Sequence, residues 1–140
     1  MRRTAGSLMM LSLLALAGCQ TDSRQQALAI TQSQVALRQM QSRAFFTADQ
    51  TKVQRSVIAT LQDLGFVIDR ADSVIGTISG TKLSGFLLKV SVSVRPRNAL
   101  QTLVRANATF NQRAIEEPEP YQQFFVALSR SLFLADQQVD

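Results

Sequence analysis

The chain has 140 residues, of which 46% are hydrophobic, and its formal net charge at pH 7 is +5. This is enough chain and enough apolar content for one domain with a buried core. There is no histidine, so the commonest general base and the commonest metal ligand are both excluded. One cysteine forms neither an internal disulfide nor a multi-thiolate zinc site. We therefore expect no metal and no cofactor.

The first 18 residues predict a signal peptide. Arg2 and Arg3 give a basic start, and an apolar run of about ten residues follows from Leu8 to Ala17. A helix that spans a bilayer needs about twenty apolar residues, so this run is too short to span and has the length of a signal-peptide core. Removal of residues 1–18 takes away both arginines and lowers the formal charge from +5 to about +3.

The end of the apolar run resembles the lipobox of bacterial lipoproteins. Four consecutive residues carry the resemblance: Leu16, Ala17, Gly18 and Cys19. The resemblance implies cleavage just before Cys19, acylation of that cysteine, and attachment to the membrane through its acyl chains. It also implies, from Gln20 in place of an aspartate, the periplasmic face of the outer membrane rather than the inner membrane. An ordinary secretory signal with an incidental cysteine remains the alternative.

Residues 19–35 predict a lipidated N-terminus and a flexible, Gln-rich tether. The segment is polar, and as a coil it would span about 20 Å. Ala27, Leu28 and Ile30 leave open the alternative of a helix that packs on the domain. We assign the periplasmic α+β domain to residues 36–140.

The domain begins with a predicted strand from Ala36 to Thr47, where polar and apolar residues alternate loosely. A helix follows, with Thr47 and Gln50 at capping-box spacing and Gly65 as the C-terminal stop. Its apolar residues recur at helical spacing on one face. They are Val53, Val57, Leu61 and Leu64.

Strands are predicted after this helix. Residues 66–69 and 76–82 indicate short strands around the turn "RADS". Two longer segments, residues 86–95 and 100–113, alternate between apolar and polar residues over most of their length. They predict an antiparallel hairpin with one apolar and one polar face.

The last element is a predicted helix with Pro118 and Pro120 at its start, where proline is tolerated. Its apolar stripe consists of Tyr121, Phe124, Phe125, Leu128 and Leu132. Phe45 and Phe125 fit the apolar pattern of the chain less cleanly than the other phenylalanines. They are candidates to line a groove between the helices.

The order β-α-β-β-β-α predicts an α+β, two-layer sandwich, in which an antiparallel sheet of about four strands carries two helices on one face. This order resembles the helix-grip domains of the BamC (NlpB) family of outer-membrane lipoproteins. The resemblance lies in "TLQDLGFVID" (60–69) and "GTISG" (76–80), followed by the alternating hairpin and an aromatic closing helix. It implies the architecture and a setting in the cell envelope.

The polar side of the hairpin is the candidate partner surface. Lys89, Arg95 and Arg105 lie on or near it, and cations there suit lipid head groups, lipopolysaccharide phosphates or an acidic protein surface. A solvated sheet face is the alternative explanation. We expect no nucleic acid as partner, because no aromatic residue is interleaved among these cations.

Catalytic residues are not indicated. Asp63, Asp69 and Asp72 lie where aspartates commonly cap turns, and three glutamates near residue 117 suit a helix N-terminus. No histidine activates a serine, and no G-x-S-x-G motif occurs. We therefore expect no enzyme.

The sequence favours a non-enzymatic accessory or scaffold subunit of a cell-envelope assembly or transport complex, with an envelope protein as partner. The alternative is a carrier of an apolar ligand, either a lipid or a lipoprotein segment. A continuous apolar cavity of several hundred Å³ under Phe124 and Phe125 favours the carrier. A solid core with an exposed sheet favours the scaffold.

Overall fold

A computed structural model describes the backbone of residues 19–137 and the side chains from residue 23 onwards. The described part is α+β with antiparallel strand pairs, as the sequence predicts. In chain order the elements are α1 (Cys19–Met40), β1 (Ser42–Phe45), α2 (Gln50–Asp63), β2 (Val67–Asp72), β3 (Thr77–Leu83), β4 (Leu87–Asn98), β5 (Gln101–Phe110), β6 (Arg113–Ala114) and α3 (Pro118–Gln137).

The predicted hairpin, β4 with β5, is confirmed and forms the centre of the sheet. The strand order is β1-β5-β4-β3-β2, and β6 also pairs with β5. In the hairpin, Val92 lies opposite Ala106 and Lys89 lies opposite Thr109. Because paired residues of an antiparallel ladder share a face, this register puts the apolar residues of both strands on one side.

The sheet has more strands than the four or so expected. The sheet contains five strands in one path and the two-residue β6 beside β5. The segment that follows α2 forms a complete hairpin, β2 with β3. Its turn is held by the Asp72 carboxylate, which accepts hydrogen bonds from the backbone N–H groups of Val74 and Ile75 at 3.1 and 3.0 Å.

The hydrophobic core lies on one face of the sheet. The predicted apolar stripe of α3 and three of the four predicted stripe residues of α2 are buried there, together with alternate residues of β3, β4 and β5. The fourth, Leu64, is half-buried and lies just after the end of α2. The buried cluster contains Val53, Val57, Leu61, Ile78, Val90, Val92, Val94, Val104, Ala106, Ile115, Tyr121, Phe124, Phe125, Leu128 and Leu132. A salt bridge between Lys52 and Asp136 joins α2 to α3 at the surface.

The two ends of α2 differ in how well the sequence predicts them. The prediction of a capping box at Thr47 is wrong, because Asp49 is the N-cap. Its carboxylate accepts a hydrogen bond from the Lys52 N–H at 2.9 Å. The Thr47 hydroxyl instead accepts from the Asp49 N–H. The glycine stop is confirmed: Gly65 has φ +87°, and Phe66 N–H donates to the Leu61 carbonyl at 2.9 Å.

The coil expected for the tether is wrong, because the backbone from Cys19 to Met40 is helical. This segment has no glycine or proline and is rich in Gln, Ala, Leu and Arg, which are strong helix formers. This helix includes the first residues of the strand predicted at 36–47, so that β1 is limited to Ser42–Phe45.

Contacts divide the chain into residues 1–36 and residues 37–140, and the second unit contains the sheet, α2 and α3. In the stretch that the structure describes, no helix combines the length and the hydropathy that a membrane span requires. The predicted signal peptide, with Leu16, Ala17 and Gly18, lies outside the described residues. Cys19 is the first residue of α1.

Candidate partner-binding surface

One face of the sheet is turned away from α2 and α3, and we call it the open face. It is formed by the strand residues that alternate with the buried ones. Its polar members are Ser42, Asp69, Arg70, Asp72, Thr77, Ser79, Thr81, Lys89, Ser91, Ser93, Arg95, Arg105, Asn107 and Thr109.

The register brings the three predicted surface residues, Lys89, Arg95 and Arg105, onto the open face. Lys89 and Arg95 are both odd-numbered positions of β4, and Arg105 lies opposite Ser93 between them. All three are exposed. At about 3.4 Å per residue, Lys89 and Arg95 are about 20 Å apart along the strand. The cations therefore form a stripe along the hairpin and do not converge on one point.

Hydroxyl and amide side chains fill the surface between the cations. The row across the sheet at Ser93 runs from Thr77 through Ser93 to Arg105 and then to Ser42. In this row the Arg105 Nε–H donates to the Ser42 Oγ at 3.2 Å. Each of these groups offers hydrogen bonds at the open face, which suits a polar partner better than an apolar one.

Arg70 is a fourth cation of the open face that the sequence analysis missed. A bulge between Ile68 and Arg70 shifts the alternation of β2, so that Arg70 lies opposite Ser79. Strand alternation alone does not reveal such a shift. If the alternation continued from Ile68 without a bulge, Arg70 would lie on the buried side of the sheet. Only the charge of Arg70 indicates that its side chain is exposed.

The two acids of this face are held by local contacts. Asp69 accepts a hydrogen bond from the Thr81 hydroxyl at 2.6 Å. The Asp72 carboxylate accepts hydrogen bonds within the β2–β3 turn, and one of its oxygens lies 3.5 Å from an Arg70 nitrogen. Donation from the Ile75 N–H, then from the Val74 N–H, and the nearby Arg70 charge lower the pKa of Asp72 below its ordinary value of 3.8. The open face thus combines the cations Lys89, Arg95, Arg105 and Arg70 with two engaged carboxylates.

The remaining carboxylates singled out from sequence lie apart from this face. Asp63 ends α2, and Glu119 lies in the first turn of α3. Among the described side chains, no three acidic, cysteine or histidine groups are close enough together to hold a metal ion. Phe45 and Phe125 do not line a groove, because Phe125 is 1% exposed in the core and Phe45 packs against that core. The Arg43 guanidinium lies 5.0 Å from the centre of the Phe125 ring.

Two cavities adjoin the helices. An open groove of about 880 Å³ runs along the outer side of α2 and α3, and its lining includes Asp49, Lys52, Arg55, Asp63 and Arg130. A smaller pocket of about 160 Å³ lies between the sheet and the start of α3. The large groove is open and has both charged and apolar residues in its lining, and it does not lie under Phe124 and Phe125. The apolar pocket is small. Neither is therefore the apolar cavity of several hundred Å³ that the sequence analysis associates with a carrier.

No protein-family model matches this chain, and the search of curated proteins finds no match either.

Proposed function

We propose that the protein is a membrane-anchored periplasmic lipoprotein. In this proposal it acts as a non-enzymatic accessory subunit of a cell-envelope assembly or transport complex and binds its partner on the open face. The observation that carries the proposal is the placement of Lys89, Arg95, Arg105 and Arg70 on one exposed, hydroxyl-rich side of the sheet. Complementary charge brings such surfaces together and sets their register.

The setting rests on the N-terminal sequence. The basic start, the short apolar run and the four residues that end at Cys19 support export and acylation. Gln20 after the cysteine favours the periplasmic face of the outer membrane. The partner is then an envelope protein with an acidic surface.

The carrier alternative receives less support from the cavities. The apolar pocket under Phe124 measures about 160 Å³, whereas pockets for small molecules usually measure about 300–1,000 Å³. The observations therefore favour a binding module over a lipid carrier.

The test is purification of the tagged full-length protein from solubilised membranes, followed by identification of co-purifying proteins in stoichiometric amount. We expect a membrane-protein partner whose recovery falls at least about tenfold in the double variant Lys89→Glu and Arg105→Glu, because like charges then face the acidic surface. Recovery should also fall with salt, since exposed charges are screened.

The matched control is Arg55→Glu with Arg130→Glu, which makes the same change of charge in the groove between α2 and α3. This variant should retain the partner. Equal loss in both doubles, or recovery of the wild-type protein as a monomer with extracted lipid, contradicts the proposal.

A further inference from the structure

The small apolar pocket lies at the end of the sheet where β4 begins and β5 ends. Its walls come from the C-terminal end of α2, the sheet and the first turns of α3. They include Leu64, Phe66, Lys82, Leu88, Ala108 and Phe124. We call it the Lys82 pocket, after the one charged residue in its lining.

The size of the Lys82 pocket matches one aromatic ring. Its volume is about 160 Å³, and an apolar cavity of about 150 Å³ lined by Leu, Ile and Phe is known to hold one benzene molecule. The walls at Phe66, Leu88 and Phe124 supply apolar and aromatic surface of that kind. A long acyl chain does not fit in this volume.

Lys82 places one positive charge in the wall of this pocket. It lies opposite Leu88 in the β3–β4 ladder, and its ammonium donates to the Leu64 carbonyl at 2.8 Å. The same nitrogen lies 6.0 Å from the centre of the Phe66 ring. In the part of the chain described, Lys82 has no carboxylate partner, and an ammonium has three hydrogens to donate. The Lys82 ammonium can therefore donate further hydrogen bonds to the carboxylate of a bound molecule.

Apolar surface continues outside the pocket. Phe86 and Phe110 lie on the same face as Leu88, since Phe110 pairs with Leu88 and Phe86 precedes it by two residues. Their rings are 5.0 Å apart, and they are 40% and 43% exposed. An isolated ring in the pocket leaves this surface uncovered, whereas a peptide that carries the ring covers it.

We propose that the Lys82 pocket binds one aromatic side chain of a partner polypeptide, with an adjacent carboxylate of that polypeptide on the Lys82 ammonium and its backbone across Phe86 and Phe110. This site lies on the helix side of the sheet. It does not depend on the role proposed for the open face.

The experiment uses fluorine NMR of a short probe peptide, acetyl-Gly-(4-fluorophenylalanine)-Asp-Gly-amide, and of its twin with Asn in place of Asp. The full-length protein is held in nanodiscs of zwitterionic lipid, so that no detergent competes for the pocket. We expect both peptides to bind, and the Asp peptide to bind about three- to fivefold more tightly, which is the size of a partly exposed ion pair.

Two variants test the assignment. Lys82→Gln should bring the affinity ratio of the two peptides close to one, whereas Arg55→Gln, an equal charge change at an exposed position of α2, should leave it unchanged. Ala108→Leu fills the pocket and should remove binding of both peptides, with circular dichroism to show that it remains folded. If it does not fold, the Lys82 and Arg55 comparison still decides. No binding by the wild type, or a ratio that survives Lys82→Gln, overturns the proposal.

Discussion

At the scale of single residues, Tyr121 connects parts of the chain that are distant in sequence. Its hydroxyl donates to the Ile115 carbonyl at 2.7 Å and accepts from the Ala108 N–H and from the Gln41 side chain at 3.3 and 3.2 Å. The residue is 2% exposed. The Tyr121 hydroxyl thus makes three hydrogen bonds beside β5, between the part of β5 that pairs with β1 and the part that pairs with β6.

We expect Tyr121→Phe to lower the free energy of unfolding by about 1–3 kcal/mol, because buried polar groups at Ala108, Ile115 and Gln41 then lose their partner. The measurement is urea unfolding followed by circular dichroism. Ser129→Ala is the control, since it removes a hydroxyl from the same helix that only bonds the Phe125 carbonyl one turn away. This control should cost less than about 0.5 kcal/mol. Equal effects of the two variants contradict the role given to Tyr121.

The sequence predicts that Tyr121 lies on the buried side of α3 but does not predict this hydrogen-bond network. Helical spacing predicts which face of α3 is apolar, and all five predicted stripe residues are buried. The hydrogen-bond partners of Tyr121 are up to 80 positions away in the chain. Only the packing of α3 beside β5 brings them together, and no local pattern contains that information.

Gly76 is a residue whose lack of a side chain is required. Its φ is +66°, and a Cβ atom there would lie 2.3 Å from the Val94 carbonyl oxygen. Gly85 has φ +74°, and no atom lies within 4 Å of the position that a Cβ atom would take there. The variant Gly85→Ala therefore measures the cost of the backbone conformation alone. We expect Gly85→Ala to cost about 1–2 kcal/mol. Gly76→Ala should cost about 2 kcal/mol more, because the clash also displaces the Val94–Gly76 hydrogen bond.

Comparison of urea midpoints for the two alanine variants checks this prediction. The sequence does not distinguish these two glycines, and the structure shows that Gly76 is crowded and Gly85 is not. A cost at Gly76 equal to that at Gly85 means that the β2–β3 turn relaxes away from β4 without penalty.

At the scale of elements, strong periodicity was predictive and weak periodicity was not. The β4–β5 hairpin and the buried faces of α2 and α3 follow from alternation and helical spacing over ten or more residues. The segment from Ala36 to Thr47 alternates only loosely. There the helical propensity of α1, which lacks glycine and proline, extends the helix to Met40 and shortens the strand.

The β2–β3 turn makes the stability of the protein depend on pH. The hydrogen bonds from Ile75 and Val74 and the charge of Arg70 lower the pKa of Asp72 in the folded state. A carboxyl with a lowered folded pKa stabilises the fold above its unfolded pKa, near 3.8, and loses this effect as the pH falls through the folded pKa. We expect the wild type to be more stable than Asp72→Asn above about pH 4.

The measurement is the urea midpoint of both proteins between pH 2.5 and 6.5 at constant ionic strength. Asn keeps an acceptor oxygen for the turn, so the comparison isolates the charge. The difference between the two proteins should shrink as the pH falls below 4. A difference that stays constant over this range contradicts the assignment to Asp72.

At the scale of the whole molecule, the proposed anchor makes a prediction at one residue. Cys19→Ser removes the thiol that would be acylated, and two or more acyl chains are what gives a stable anchor. We expect the variant to leave the membrane fraction or to remain as the uncleaved precursor, as measured by fractionation and by the mass of the chain. A mature, membrane-bound variant contradicts the lipobox interpretation.

The candidate surface was only partly predictable from sequence. Alternation within β4 placed Lys89 and Arg95 together, and the hairpin register added Arg105. Arg70 depends on the bulge in β2, and the Lys82 pocket depends on where α2 and α3 end above the sheet. Both arise from relations between elements, which periodicity within one element does not describe.

The junction between α1 and the sheet has a mechanical consequence. Only Gln41 separates the helix end at Met40 from β1 at Ser42, and its carbonyl accepts from the Ala106 N–H at 2.8 Å. A tensile load applied to the N-terminal side of α1 therefore enters the sheet at Gln41, with no slack chain to absorb it. In chain order from α1, the hydrogen bonds of Gln41 to Ala106 and Tyr121 precede the pairs between β1 and β5.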